Sequence, residues 1–84
     1  MFLHELSPND QGKVTGFSKG TTDYRRRLLA LGVTPGVSFK VTRVAPLGDP
    51  IEIRVRGSSI SVRKEEARIL IVEKLEPQST EVIK

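Results

Sequence analysis

Three short runs alternate apolar and polar residues, and a single helical stretch interrupts the chain that carries them. Val37-Ser38-Phe39-Lys40-Val41, Ile51-Glu52-Ile53-Arg54-Val55 and Ile60-Ser61-Val62 each place their apolar side chains on one side of an extended backbone. A half-apolar strand is stable only when that side is covered. The chain is 84 residues long, enough for one domain with a small core. Between the second and third runs, Gly57 and Ser58 fit a two-residue type II′ turn with glycine first. That turn sets Val55 opposite Ile60 and Ile53 opposite Val62, so the apolar residues share one face.

Two further strands flank these. Lys13-Val14-Thr15-Gly16-Phe17 reads as the first, with Gly16 thinning it for a bend. Ile69-Leu70-Ile71-Val72 is continuously apolar, as expected of a closing strand covered on both faces. Phe2, Leu3 and Leu6 precede the turn cluster Ser7-Pro8-Asn9-Asp10 and should pack onto the core. Ala45-Pro46-Leu47-Gly48-Asp49-Pro50 is a loop, because two prolines and a glycine do not run through a ladder. Lys64 to Arg68 has room for a single helical turn. These features predict a mainly β fold, a small SH3-like antiparallel five-strand barrel with one helix inserted between the first two strands. The domain should cover 1–75, and 76–84, with Pro77, Gln78 and Ser79, should be a mobile tail.

The helix is marked at both ends. Thr22 and Asp23 offer N-cap oxygens. Gly32 suits the left-handed residue that closes a helix, and Pro35 forbids its continuation. Tyr24, Leu28 and Leu31 recur at helical spacing and should form the buried face. Leu29 falls beside Arg25 and Arg26, off that face.

Composition narrows the chemistry. The formal net charge is +4, which suits an acidic partner, a nucleic acid or an anionic surface, or simply a solvated exterior. No cysteine is present, so disulfides and thiolate metal sites are excluded. No apolar run reaches membrane-spanning length, and the first residues lack a signal-peptide pattern, so the cytoplasm is the expected location. His4 is the only histidine, and Asp10, Asp23, Asp49, Glu52, Glu65 and Glu66 have no metal-site spacing. No permanent metal or other cofactor is expected. Glu65 and Glu66 should be solvated. With one histidine and no serine–acid arrangement, the chain is not expected to be an enzyme. Gly12, Gly16 and Gly20 are spaced by four, which is not a phosphate-loop pattern. Phe2, Phe17, Tyr24 and Phe39 are too few for an aromatic polyproline groove. Arg25, Arg26, Arg27, Arg54, Arg56 and Arg63 could face a nucleic acid, giving an alternative reading as a small basic barrel, although few aromatics are left to stack on bases.

One combination is more specific. A helix running Tyr24-Arg25-Arg26-Arg27-Leu28-Leu29-Ala30-Leu31-Gly32 continues into Val33-Thr34-Pro35-Gly36. It is followed by Ala45-Pro46-Leu47-Gly48-Asp49-Pro50 and by a strand ending in Arg63. From about Leu6 to Val72 this order resembles the FeoA family, small cytosolic partners of the bacterial ferrous-iron transporter FeoB. The related C-terminal domain of DtxR-type iron-dependent repressors is the alternative. The resemblance implies an SH3-like barrel in the cytoplasm, recruited to the inner face of the membrane, that regulates ferrous-iron uptake through protein–protein interaction; transient contact with a ferrous ion is compatible with that role. It gives Tyr24, Leu28, Leu31, Gly32, Pro35, Gly36, Gly48 and Pro50 a structural part. Arg25, Arg26, Leu29, Val33, Leu47 and Asp49 are then the expected partner-binding residues. Arg25, Arg26 or Arg27 could also act on the transporter's GTPase as an arginine finger does; the competing reading is a solvated helix face.

Overall fold

A computed structural model describes residues 1–19 and 22–76. Its elements are β1 (Gln11–Phe17), α1 (Thr22–Ala30), β2 (Ser38–Val44), β3 (Ile51–Val55), β4 (Ser58–Val62), α2 (Lys64–Ala67) and β5 (Leu70–Leu75). A 3-10 turn at Leu3–Glu5 precedes β1, and another at Pro46–Gly48 lies between β2 and β3. The expected tail lies, beyond Glu76, outside the described residues.

The strands form one antiparallel sheet in the order β4-β3-β2-β1-β5. β4 and β5 end that order and are joined through α2. Two register shifts bend the sheet, one between Val14 and Gly16 on β1 and one between Val41 and Arg43 on β2. At each, the extra residue is a threonine whose hydroxyl donates across the strands: Thr15 Oγ1 to Ile71 O (3.1 Å) and Thr42 Oγ1 to Glu52 O (3.2 Å). The curled sheet encloses Val14, Phe39, Val41, Ile51, Ile53, Val62, Leu70 and Val72, all buried. Leu3 and Leu6 join this core from the opening segment, and Leu28 joins it from α1.

Gly12 shows how tightly strand and core meet. A Cβ there would lie 2.6 Å from Phe39 Cζ and 3.2 Å from Glu73 O, so only glycine fits without moving the ring.

The hairpin differs from the turn expected from the sequence. Its two loop residues are Arg56 (φ 52°) and Gly57 (φ 82°), both left-handed, which makes it type I′. Val55 pairs with Ser58, Ile53 with Ile60, and Ile51 with Val62. The register is displaced by two residues from the expected one. A displacement of two keeps every side chain on its face, so the apolar side survives the correction.

The helix ends also differ. α1 starts at Thr22, so Thr22 and Asp23 lie within the first turn and not ahead of it, and what precedes Thr22 lies outside the described residues. At the other end Val33 N–H donates to Leu28 O (2.9 Å) and Gly32 N–H to Leu29 O (3.0 Å), with Gly32 at φ 92°. This is a Schellman closure, and its usual apolar pair is present: Leu28 and Val33 are both fully buried. Two expectations are corrected by it. Leu31 does not share the buried face but is 43% exposed, and Val33 cannot meet a partner because no part of it reaches solvent. Leu31 lies past the last helical residue, Ala30, and the chain reverses at left-handed Gly32, which brings Val33 inward in its place.

Candidate functional site

Three leucines are left exposed: Leu29 (40%), Leu31 (43%) and Leu47 (96%). Leu47 stands furthest from anything packing explains. It sits in the 45–50 turn, where Gly48 N–H donates to Ala45 O (2.9 Å) and Ala45 N–H to Pro50 O (3.1 Å). The Asp49–Pro50 peptide is cis. Asp49 Oδ1 accepts Lys64 N–H (3.1 Å), which ties the turn to the first residue of α2. Held this way, Leu47 adopts φ 71° and ψ 7°. A left-handed backbone disfavours a residue with a Cβ by on the order of 1 kcal/mol.

Beside Leu47 is a shallow depression with Val44 and Ile51 in its lining, bordered by His4, Lys64 and Arg68. The three border residues are exposed. Phe2 stacks on His4 with ring planes 5° apart and centroids at 6.1 Å, which fixes the imidazole at that border. A second depression is lined by Arg27, Asp49, Pro50, Ser61, Arg63 and Glu65.

Arg27 belongs to a different arrangement from its neighbours. Its Nη1 donates to Glu66 Oε1 at 2.5 Å, and its Nη2 to Ser61 O at 3.3 Å. The same Glu66 oxygen accepts Arg63 N–H at 2.9 Å. Glu66 is 1% exposed. One carboxylate thus fastens α1 to the start of α2. The expectation that Glu66 is solvated is corrected, and so is the inclusion of Arg27 among free arginines. Nothing in the sequence around Glu66 separates it from exposed Glu65, except that it stands three residues after Arg63, where a glutamate can reach back to a free N–H.

The expected partner-binding residues are only partly brought together. Arg25, Arg26 and Leu29 are exposed on α1, but they border neither depression beside the 45–50 turn. Asp49 is exposed yet engaged with α2. The sequence reading passed over His4 as a border residue, as well as Lys64 and Arg68; no local pattern places them together, since they come from three separate segments.

Several further carboxylates accept hydrogen bonds from protein donors. Asp10 Oδ2 accepts Ser7 N–H (2.9 Å), Glu5 Oε2 accepts Phe2 N–H (2.7 Å), and Glu52 Oε1 accepts the Thr42 hydroxyl (3.2 Å). Among the described residues no three His, Cys, Asp or Glu side chains gather where they could hold a metal. No helix among them is long and apolar enough to cross a membrane.

A family model described as the FeoA domain matches residues 1–74. The chain is 32% identical over 80 residues to the Fe(2+) transport protein A/Fe(2+) transporter FeoB fusion protein of Porphyromonas gingivalis. That match takes in 95% of this chain but only 9% of the relative's length. The FeoA protein of Chlorobium tepidum is 39% identical, with a TM-score of 0.82 over 95% of this chain and 75% of its own. FeoA of Stenotrophomonas maltophilia, solved in complex with zinc and described as a procaryotic SH3 domain protein, is 25% identical, with a TM-score of 0.74 over 87% of this chain and 89% of its own. The SH3-like class expected from the strands matches that description.

Proposed function

The chain belongs to the FeoA family, associated with ferrous-iron transport, and on that premise we propose that it works by docking, without catalysis of its own, on the cytosolic part of a FeoB-type transporter. The observation that carries this reading is the P. gingivalis relative, in which a domain like this one and FeoB share a polypeptide. Such a link makes association intramolecular and raises the effective concentration to about the millimolar range, which is useful only to domains that meet. The surface supports the reading as well. Leu29 and Leu47 are exposed apolar side chains, and Arg25 and Arg26 are exposed cations of the type enriched at interfaces. The site of action is the cytoplasmic face of the membrane.

The test is direct binding of the full chain to the purified cytosolic portion of the FeoB-type transporter from the same organism, with and without guanine nucleotide. Saturable binding that persists at moderate salt is expected. Absence of saturable binding in every nucleotide state would reject the reading.

The same proposal holds that the chain carries no resident metal. Its exposed carboxylates are scattered, and its one histidine stacks on Phe2. Protein purified without chelator should contain far less than one equivalent of iron or zinc by elemental analysis. About one metal per chain would overturn this, since a stable protein site usually needs three or four ligands.

A further inference from the structure

Resting on the docking reading above, we propose that the depression beside Leu47 receives a segment of the transporter's cytosolic part in which an apolar side chain is flanked by carboxylates. The case begins with Leu47 itself. It is 96% exposed, so it adds almost nothing to the core, and its φ of 71° is one that glycine adopts more readily. A leucine in a disfavoured backbone state, with nothing to bury inside the fold, has its use outside the fold. The turn that presents it is fixed by the Ala45, Gly48 and Asp49 hydrogen bonds, so little freedom is lost when a partner closes on it.

The surroundings specify the partner's chemistry. Val44 and Ile51 give the depression an apolar lining next to the Leu47 side chain. Lys64 and Arg68 border it, and neither ammonium nor guanidinium has an acidic partner among the described residues. An apolar hollow bordered by unopposed cations matches an apolar residue with acidic neighbours. The concavity argues for a protein segment over an anionic bilayer, because a flat surface would meet Leu47 and leave the hollow empty.

The experiment measures affinity of the full chain for the purified transporter portion, alongside binding to phosphatidylglycerol vesicles and the melting temperature. Leu47→Gly removes the side chain while relieving its backbone. Lys64→Glu reverses a border charge in the first turn of α2, where a carboxylate is tolerated. Lys40→Glu makes the same charge change on β2, outside the depression. Leu47→Gly and Lys64→Glu should each weaken transporter binding by about tenfold or more, as truncation of an interface anchor does. Lys40→Glu should stay within about twofold, as expected for a charge outside the contact. Leu47→Gly should leave the melting temperature unchanged or raised. Wild-type affinity in Leu47→Gly or Lys64→Glu, while the unaltered chain binds, overturns this assignment and leaves the docking reading standing. No binding by the unaltered chain removes both. Vesicle binding that depends on Leu47, with transporter affinity unchanged, replaces the protein segment with a membrane. A fall of several degrees in the melting temperature of Leu47→Gly makes the leucine structural and also overturns the assignment.

Discussion

Replacing Arg27 with methionine should lower the melting temperature by roughly 10–20 °C, from a loss of about 2–3 kcal/mol in a domain of this size. Methionine keeps much of the apolar stem and removes the charge. The carboxylate of Glu66 then stays 1% exposed, with Arg63 N–H but without its cation. A charge buried without its counter-ion costs about 3–5 kcal/mol when both partners are buried. The Arg27 side chain is 43% exposed, so water already screens part of the pair and the lower figure applies. A double-mutant cycle with Glu66→Gln isolates the pair: glutamine can still accept Arg63 N–H but needs no cation. The doubly substituted chain should be less destabilised than the sum of the two single changes, by about 1 kcal/mol or more. Thermal and urea unfolding provide the measurement. A melting temperature for Arg27→Met within about two degrees of the wild type would mean that the contact contributes nothing measurable.

Leu28→Ala should be at least as severe, with a loss of about 2–5 kcal/mol. Leu28 is fully buried, and its carbonyl accepts the Val33 N–H that closes α1. Truncation leaves a void between α1 and the sheet and removes the apolar partner of Val33 across the helix end. Leu29→Ala, one residue further on, provides the contrast. Leu29 is 40% exposed, so the same change there should cost about 0.5 kcal/mol or less. Urea midpoints for the two variants, compared at equal slope, decide the point. Similar losses at both positions would mean that α1 is rotated on the sheet relative to the structure described above.

The strands were legible because burial has a period of two, and Phe39, Val41, Ile51, Ile53, Ile60 and Val62 all lie inside as their alternation requires. The hairpin register was not legible. Glycine at Gly57 attracts the first position of a type II′ turn, and nothing in Arg56 announces that it will take φ 52°. The buried face of α1 was half legible for a related reason. Helical spacing holds from half-buried Tyr24 to buried Leu28, then fails at Leu31, which follows the last helical residue, Ala30, and leads into left-handed Gly32. The candidate docking surface was the least legible part. Leu47 is plain in the sequence as an apolar residue between prolines. Its border is assembled from His4, Lys64 and Arg68, and only the tertiary structure makes those neighbours. The burial of Glu66 had the same origin. Its counter-ion lies 39 residues away on α1, beyond any local pattern.

The sheet order has a consequence for how the chain comes off the ribosome. β1 is made first, yet most of its pairing is with the strand made last. Its ladder with β5 runs from Gln11↔Leu75 to Phe17↔Leu70, whereas with β2 it shares only Gln11↔Lys40, Gly12↔Phe39 and Lys13↔Ser38. While β2, β3 and β4 emerge and zip together as local neighbours, the outer margin of β1 must wait with its amide groups unpaired. A nascent chain stalled before Leu70 therefore offers an open strand edge to any extended segment nearby, the condition in which half-made β proteins are caught by chaperones or by one another.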